Sequence, residues 1–502
     1  MNKKQKYKGA LKLSAIGDAL GWITEFESSK ESLNSKYKSA YIDQFYDWEK
    51  IVGGRFNGYI DRIKAGSYSD DTQLLLCVAR SIETNGDLNN EYFSKEELIN
   101  WLYYSRGAGR TIKNAAQKLE RKSAKWNSNF FKYKIGEKTI DYRESGANGA
   151  AMRILPIVLA NYGNIEKIKK EVFANSIVTH GHPRAILGAL LFAYSINQIL
   201  SLSPEEFNPK EFIIQIGVDF IEKFNLPFLY EEYSFLNWVK EWDKGANISF
   251  QKVYENTLEE TQNLLRLLYK NIDAQITNQD FLTQIGCTAK ETKGSGILTV
   301  LAGLFFACRF SKSPIEGILE AVNYLGSDTD SIAAFTGSLL GALYGEKIIP
   351  NQWMNLQDFD YIDKISDKLY AISNKSQIDE NFDNNGNEEI FNINVDKFKE
   401  GDIVYFNPLG KGEISKIERQ QPITKGRYNL IIDVSFFIGQ SCRFSKLISG
   451  SIPTILIENE FINLIKSRIQ LEKQEVIIKK ISALNNSNVN NLIKDILLHL
   501  KE

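Results

Sequence analysis

Apolar residues recur every three to four positions from Lys8 to about Ala371, and this periodicity is the feature that most constrains the fold. The stretches DDTQLLLCVARSI and GILTVLAGLFFACRF show it clearly. Such spacing places the apolar side chains on one face of a helix. Glycine and alanine are frequent on these faces, which lets helix axes approach closely. We therefore predict that residues 1–372 form a densely packed, all-helical domain.

The composition changes after this helical region. Residues 373–396 are rich in Asn, Asp and Glu and poor in aliphatic side chains, so we interpret them as a linker. Residues 397–456 alternate apolar and polar positions between glycine-containing turns, which predicts a small SH3-like β domain. Residues 457–502 return to helical spacing and are predicted to form a helical tail. The predicted fold class is mainly α: an all-helical domain, a small β-barrel-like domain and a C-terminal helical tail.

The composition excludes several classes of protein. Hydrophobic residues make up 43% and charged residues 25% of the 502 positions, which is typical of a globular protein. The net charge of −1 gives no overall attraction to nucleic acid or an anionic membrane, and no stretch of 18 uncharged apolar residues predicts a membrane span. The four cysteines form no CxxC pair, which indicates reduced thiols and a cytoplasmic location. Three histidines are too few to predict a zinc site.

Two acidic clusters stand immediately before apolar helical stretches. SDDT covers residues 69–72 and GSDTDS covers residues 326–331. One acidic residue at a helix N-terminus is usually a cap, but each cluster has two carboxylates. If the clusters converge, two charges about 4 Å apart repel by roughly 4 kcal/mol at an effective dielectric constant near 20. They must then take up protons or bind cations, and oxygen ligands favour Mg²⁺ or Mn²⁺.

Other segments contribute polar groups at helix ends. GDALGWITEFE contains Asp18 and Glu25, and THGHP contains His180 and His182. GANGAAMR, residues 146–153, is a turn of small residues whose backbone N–H groups could approach phosphate oxygens. Each of these segments alone could serve helix capping or packing instead of a functional site.

Taken in order, these segments resemble the ADP-ribosylglycohydrolase family, the group of dinitrogenase reductase-activating glycohydrolase-like proteins. The resemblance covers about residues 8–350 and rests on GDALG with the following EF, SDDT, ANGAAMR, THGHP, GSG at 294–296 and GSDTDSIAAFTGSLLGALYG. It implies an all-helical fold with two Mg²⁺ (or Mn²⁺) ions that hydrolyses the glycosidic bond between ADP-ribose and an ADP-ribosylated acceptor.

The resemblance also implies roles for individual residues. The expected metal ligands are Ser69, Asp70, Asp71, Asp328, Asp330 and Ser331. The expected catalytic residues are Glu25, as acid or base, together with Asp70 and Asp330. The expected substrate-binding residues are Trp22, Asn148, Gly149, His180, Gly294, Ser295 and Gly296. Two positions depart from the family pattern, because Ser69 replaces a threonine and Ala147 replaces the first glycine of a GNG turn.

Two other functions are compatible with parts of the pattern. The DTD sequence is similar to the DxD motif of phosphatases with an aspartyl nucleophile, but that motif normally ends a strand, whereas Asp328 precedes a predicted helix. The chain could instead be a non-catalytic module that binds ADP-ribose or a nucleotide, with a C-terminal domain that binds a partner. Retention of both acidic pairs and Glu25 argues against such a module.

The acceptor and the role of the C-terminal domain stay open. An ADP-ribosylated protein, nucleic acid or small molecule could be the substrate, since arginine, serine or a nucleobase would present the same ADP-ribose. The rim that distinguishes these acceptors is expected between Leu202 and Thr288. The C-terminal domain could bind a protein or a nucleic acid, and no membrane partner is expected.

Overall fold

The computed structural model describes residues 2–376 and 398–450. Most of the predicted linker and the whole predicted tail, 457–502, lie outside the described residues. The helices are α1 (Lys3–Thr24), α2 (Lys30–Tyr37), α3 (Gly54–Asn57), α4 (Asp70–Arg80), α5 (Asn90–Tyr92), α6 (Leu98–Trp101), α7 (Arg110–Leu119), α8 (Leu155–Ala160), α9 (Ile165–Ile177), α10 (Pro183–Ile199), α11 (Pro209–Lys223), α12 (Phe228–Glu231), α13 (Tyr233–Lys244), α14 (Phe250–Asn271), α15 (Asn278–Gln284), α16 (Gly296–Arg309), α17 (Pro314–Val322), α18 (Thr329–Tyr344) and α19 (Phe359–Ser373). The strands are β1 (Trp48–Val52), β2 (Tyr59–Ile63), β3 (Lys132–Ile135), β4 (Lys138–Asp141), β5 (Ile403–Phe406), β6 (Gly410–Gln420), β7 (Arg427–Phe436) and β8 (Ser441–Ser449).

The prediction of a mainly α fold is confirmed, but the region up to residue 372 is not all-helical. The strands β1 and β2 form one two-stranded sheet, and β3 and β4 form another, which is antiparallel. The sheet of β3 and β4 follows no strong apolar pattern, because neither strand buries a residue fully. The sequence periodicity therefore gave no signal for this hairpin.

The centre of the helical region is the pairing of α1 with α18. Both helices carry small residues where they touch, and an added Cβ at Gly17 would lie 2.3 Å from the carbonyl oxygen of Ala333. The two backbones are therefore in direct contact, which only glycine permits at that position. This packing fixes the position of the N-terminus of α18 relative to the C-terminus of α1.

The C-terminal strands form one four-stranded sheet in the order β5-β6-β7-β8. The predicted β structure is confirmed, although the sheet is a half-barrel rather than a closed barrel. In β7 most residues are buried, whereas in β6 and β8 buried residues alternate with more exposed ones only in the first half of each strand.

The described residues divide into two compact units. The first contains the residues up to Glu49 together with Arg62–Ser415 and Asp433–Phe444, and the second contains Lys50–Asp61, Lys416–Ile432 and the described residues from Ser445 on. Within the second unit, the Thr424 N–H donates to the carbonyl oxygen of Phe56 at 3.0 Å. The four cysteines are free and buried, and no helix in the described ranges combines the length and hydropathy that a membrane crossing requires.

Candidate metal centre and active-site cleft

The first acidic cluster forms the N-terminus of α4. Asp70 and Asp71 occupy the first turn, and Ser69 is the N-cap, whose Oγ accepts the backbone N–H of Asp71 at 3.2 Å. Ser69 is fully buried and lies behind the cleft surface. Its hydroxyl is a helix cap in this structure, and its role as a metal ligand stays a prediction.

A carboxylate from α1 holds this helix end in place. Asp18 is completely buried and accepts the backbone N–H groups of Ser69 and Thr72, each at 3.0 Å, and the Thr72 hydroxyl at 2.5 Å. Burial raises the pKa of Asp18, while the hydrogen bonds from Thr72 and Ser69 oppose that rise. The sequence showed Asp18 within the GDALG motif but did not indicate this contact, which joins residues more than 50 positions apart.

The second acidic cluster forms the N-terminus of α18. Asp328 is the N-cap residue, Asp330 lies in the first turn, and the Ser331 N–H donates to Asp330 Oδ1 at 2.8 Å. The Ser331 hydroxyl donates to Asp71 Oδ2 at 2.7 Å, a bond between residues 260 positions apart. The two acidic helix N-termini therefore meet in space, which is the condition on which the predicted metal site depends.

Glu25 lies at the C-terminus of α1, beside the second cluster. Its backbone N–H donates to the carbonyl oxygen of Gly21 at 2.9 Å, and its side chain is half-buried. One carboxylate oxygen from each of Glu25, Asp328 and Asp330 lies within 4.8 Å of the other two. These three residues form a group that could hold a cation.

A cleft of about 330 Å³ opens over both clusters. Its lining residues are Glu25, Asp70, Asp71, Gly107, Gly109, Arg110, Thr111, Ile112, Tyr133, Ala147, Asn148, Gly149, Met152, His180, Asp328, Asp330 and Ser331. The expectation that Leu202–Thr288 forms the rim is wrong, since none of the lining residues comes from that segment. The rim comes instead from the start of α7 and from β3. The sequence feature that could have indicated this rim is the pair of glycines in RGAGR, at the start of α7. Glycine allows the backbone to approach the first acidic cluster, because an added Cβ at Gly107 would lie 2.7 Å from Asp70 Oδ1.

Three of the predicted substrate-binding residues line this cleft. Asn148 donates through Nδ2 to Asp328 Oδ2 at 3.2 Å, and its backbone N–H donates to the carbonyl oxygen of Gly294 at 2.8 Å. Gly149 faces His180, because an added Cβ would lie 2.9 Å from the imidazole Cε1. The ANGAAMR turn and the THGHP segment are thus brought together beside the second acidic cluster.

The other four predicted substrate-binding residues are not among those that line the cleft. Trp22 is completely buried and packs edge-on against Trp48, with ring centroids 5.0 Å apart. The backbone of Gly294–Gly296 supports the ANGAAMR turn, where the Gly296 N–H donates to the carbonyl oxygen of Gly146 at 2.9 Å. Direct contact of Trp22, Gly294, Ser295 and Gly296 with a substrate stays a prediction.

A buried arginine connects the ANGAAMR turn to His180. Arg153 donates to the carbonyl oxygen of Gly149 at 3.0 Å and to the Thr179 hydroxyl at 2.9 Å. That hydroxyl lies 2.7 Å from Nδ1 of His180. Burial, with the nearby charge of Arg153, lowers the pKa of His180 to about 3, so the imidazole is neutral at neutral pH. Arg153 stood in the quoted ANGAAMR motif, but nothing local in the sequence indicated this connection.

Two carboxyl groups of the cleft, those of Asp71 and Asp330, have raised pKa values. Burial, followed by the negative charges of Asp18 and Asp70, raises the pKa of Asp71 well above its usual range. Burial, followed by the charges of Glu25, Asp328 and Asp71, raises the pKa of Asp330 in the same way. Crowded, buried carboxylates favour either protonation or cation binding.

The donor chemistry fits a hard divalent cation. Asp70, Asp71, Asp328, Asp330 and Ser331 present carboxylate and hydroxyl oxygens to the same small volume. Mg²⁺ and Mn²⁺ prefer such oxygen ligands. A bound cation would offset both the burial and the neighbouring negative charges that raise the pKa of Asp71 and Asp330. The residues that are present therefore fit the group that the resemblance implies.

The fold and the cleft define a class: a mainly helical protein with an oxygen-rich cation site at the base of a cleft large enough for a small ligand. Residues 1–378 match the sequence profile of the ADP-ribosylglycohydrolase family. The chain belongs to that family, whose members hydrolyse ADP-ribose linkages and are typically metal-dependent.

Several characterised proteins are similar to the chain. The ADP-ribosylarginine hydrolase Tri1 of Serratia proteamaculans is 23% identical over 73% of this chain and 80% of its own length. The ADP-ribosylhydrolase ARH3 of Danio rerio is 25% identical over 76% of this chain and 94% of its own length. The ADP-ribosyl-[dinitrogen reductase] glycohydrolase of Rhodospirillum rubrum is 30% identical over 38% of this chain and 57% of its own length. A solved structure entitled ADP-ribosylglycohydrolase-related protein complex aligns with a TM-score of 0.44 and 19% identity, over 74% of this chain and 99% of that one.

Proposed function

We propose that this protein is a metal-dependent ADP-ribosylhydrolase that releases ADP-ribose from an ADP-ribosylated acceptor. The observation that supports this most strongly is the hydrogen bond between Ser331 and Asp71, because it brings two acidic helix N-termini into one cleft. A module that only bound ADP-ribose would gain nothing from a cluster of carboxylates whose ionisation is opposed by burial.

The residues that would hold two Mg²⁺ or Mn²⁺ ions are Ser69, Asp70, Asp71, Asp328, Asp330 and Ser331. When bound, such ions supply Lewis acidity and positive charge at the anomeric end of the ribose. Asp70 and Asp330 would act at the reaction centre as ligands. Ser331 and Asn148 orient the carboxylates by their hydrogen bonds to Asp71 and Asp328.

Glu25 is the residue we assign to proton transfer. Its carboxylate is half-buried at the edge of the acidic group, so it remains accessible to a water molecule and to the leaving acceptor. As a base it would accept a proton from the attacking water, and as an acid it would return a proton to the acceptor atom that leaves C1. General acid–base catalysis of this kind typically contributes about 10²–10⁴-fold to the rate.

The remaining cleft residues would bind ADP-ribose. The turn at Asn148 and Gly149 offers backbone and amide donors, and His180 stays neutral, so it can act as a hydrogen-bond partner without adding a charge. Arg110 and Thr111 add a positive charge and a hydroxyl to the lining of the same cleft. Together these groups complement a nucleoside diphosphate.

The test is release of ADP-ribose from a protein that carries ADP-ribosylated arginine, in Mn²⁺ or in EDTA. Arginine is the first acceptor to try because a similar protein, Tri1 of Serratia proteamaculans, is named as an ADP-ribosylarginine hydrolase. Serine- and nucleobase-linked ADP-ribose complete the panel. We expect release with at least one acceptor in Mn²⁺ and none in EDTA.

A matched pair of variants isolates the chemical step. Glu25→Gln should lower turnover by about 10²–10⁴-fold while Mn²⁺ still binds, because all the proposed ligands stay in place. Glu31→Gln, an exposed change in α2, should leave turnover unchanged. Tight ADP-ribose binding by the wild type without release from any acceptor would instead support the non-catalytic module.

A further inference from the structure

A strongly basic surface adjoins the cleft, although the protein as a whole has a net charge of −1. The segment Arg106–Lys138 contains ten Lys or Arg residues and two Glu residues. Eight of the ten cations are exposed: Arg110, Lys113, Arg121, Lys122, Lys125, Lys132, Lys134 and Lys138. A charge imbalance of this size in one surface segment marks a site for a polyanion.

The geometry of α7 and β3 makes this surface continuous with the cleft. The side chains of Arg110 and Thr111, at the start of α7, line the cleft together with Tyr133 of β3, and the Thr111 and Tyr133 hydroxyls lie 2.8 Å apart. A second cavity, of about 400 Å³, lies further along the same helix and strand. It is lined by Asn114, Gln117, Lys118, Arg121, Phe130, Phe131 and Lys132. The helix is about 15 Å long, which spans several phosphate spacings of a nucleic-acid strand.

Three exposed cations of this surface are not neutralised by ion pairs within the described ranges. Among the described residues, Lys113, Arg121 and Lys134 form no ion pair, while Lys132 pairs only with Asp141 at 3.2 Å. Burial, together with the positive charge of Arg121, lowers the pKa of Lys118, which donates to the carbonyl oxygen of Phe130. A bound anion would relieve this repulsion between like charges.

The second cavity combines three kinds of group that recognise nucleotides. Lys118, Arg121 and Lys132 supply positive charge, and Asn114 and Gln117 supply amides that can bond base edges. Phe130 borders the cavity with a half-buried aromatic ring that also packs on Trp238 and Arg143. Acidic polypeptides require only the positive charge, whereas single-stranded nucleic acids also use aromatic contacts and amide hydrogen bonds.

We propose that the surface formed by α7 and β3 binds single-stranded nucleic acid and leads it to the cleft. The strand would present an ADP-ribosylated nucleotide for hydrolysis, and this part of the proposal rests on the proposed function. Binding of the strand itself does not depend on the proposed function. The strand would lie along α7, with phosphates near Arg121 and Lys134 and a base in the second cavity.

The test is fluorescence anisotropy with a labelled, unmodified single-stranded oligonucleotide and the full-length protein, over a series of salt concentrations. The variant K113Q/R121Q/K134Q removes three exposed charges that lie outside the cleft lining. The control K312Q/K347Q/K364Q removes three exposed charges elsewhere in the same unit. We expect the surface variant to bind at least about tenfold more weakly than the wild type. The slope of log affinity against log salt concentration should be smaller in magnitude by about 2, since each lost phosphate contact contributes about 0.7 for single strands.

The control variant should bind the oligonucleotide as the wild type does. Equal binding by the two triple variants, or wild-type binding that does not weaken with salt, would overturn the proposal. Polyglutamate that displaces the oligonucleotide at equal charge concentration would also overturn it, since the surface would then select charge alone. Release of ADP-ribose from modified arginine is measured separately on the same three proteins and should be unchanged, so the two proposals fail independently.

Discussion

Asp71 and Asp330 carry the clearest physical signature of the site, because burial and neighbouring charges raise the pKa of both carboxyl groups. A group whose pKa is raised on folding stabilises the protein fully below its unfolded pKa, about 4, and loses that contribution as the pH rises through its folded pKa. Without divalent cations, these two residues therefore make the folded state less stable at neutral pH than at mildly acidic pH.

We predict that the double variant D71N/D330N is more stable than the wild type in EDTA, and that the difference grows as the pH rises from 5 to 8. Mn²⁺ should raise the melting temperature of the wild type by several degrees and leave the variant unaffected, because ligands that bind only the folded state stabilise it. Thermal unfolding followed by intrinsic fluorescence measures both effects. Equal Mn²⁺ shifts in the two proteins would contradict the assignment of these residues as ligands.

Asp18 is a positioning residue, since it contacts the helix end that carries the metal carboxylates rather than the cleft itself. We predict that Asp18→Asn destabilises the protein by about 1–3 kcal/mol, because an amide in place of one carboxylate oxygen leaves a buried donor without an acceptor. The affinity for Mn²⁺ should also fall, and calorimetric titration checks this. A variant that loses stability but keeps its full Mn²⁺ affinity would limit Asp18 to a role in folding.

At the scale of single elements, the close packing of α1 on α18 sets the position of the second acidic cluster. An added Cβ at Gly21 would lie 2.4 Å from the carbonyl oxygen of Thr329 and 2.6 Å from the Cα of Asp330. At the other end of the same helix pair, an added Cβ at Gly9 would lie 2.4 Å from the carbonyl carbon of Gly345. Both contacts are with backbone, so neither can be relieved by a side-chain movement.

We predict that Gly21→Ala and Gly9→Ala each destabilise the protein by about 1–3 kcal/mol through overpacking. Only Gly21→Ala should also weaken Mn²⁺ binding, because it displaces the first turn of α18, which carries Asp330. Chemical denaturation and calorimetric titration of both variants separate these effects. Equal losses of Mn²⁺ affinity in the two variants would contradict this prediction. They would show that the whole interface between α1 and α18, and not only its end near the cleft, determines Mn²⁺ binding.

The elements also show how far sequence reasoning reaches. The three-to-four spacing predicts helices such as α4, α10, α16 and α18, because their apolar residues occur in long runs. It does not predict β3 and β4, whose residues are mostly exposed and whose burial supplies little free energy. The convergence of Asp71 with Ser331 could be suspected from the repeated acidic pattern, but the sequence could not place them together, since the contact depends on helix packing across 260 residues.

At the scale of the whole molecule, the first unit includes part of the C-terminal sheet as well as the helices. Phe406 and Phe444 pack on Tyr104, with ring centroids 6.1 and 5.9 Å away. The Ser441 N–H donates to the half-buried carboxylate of Asp358 at 3.0 Å. The C-terminal strands therefore stabilise the helical region within this unit, although every residue that lines the cleft precedes Ile332.

We predict that a chain ending at Ser376 unfolds several degrees below the full-length protein, because Asp358 loses a backbone donor and Tyr104 loses its aromatic neighbours. Each buried polar group left unsatisfied costs about 1–3 kcal/mol. Gln440→Leu, which removes one buried hydrogen-bond partner of Arg80, should show a smaller decrease of the same kind. Melting curves of the three proteins test this, and an unchanged curve for the shortened chain would show that the sheet contributes no stability.

The measurement that tests the account most directly is anomalous diffraction from crystals grown with Mn²⁺, recorded at the manganese edge. The account predicts manganese in the cleft, within coordinating distance of carboxylates from both Asp70–Asp71 and Asp328–Asp330. Crystals that release ADP-ribose from a soaked substrate in Mn²⁺, yet show no anomalous density between these two pairs, would contradict it.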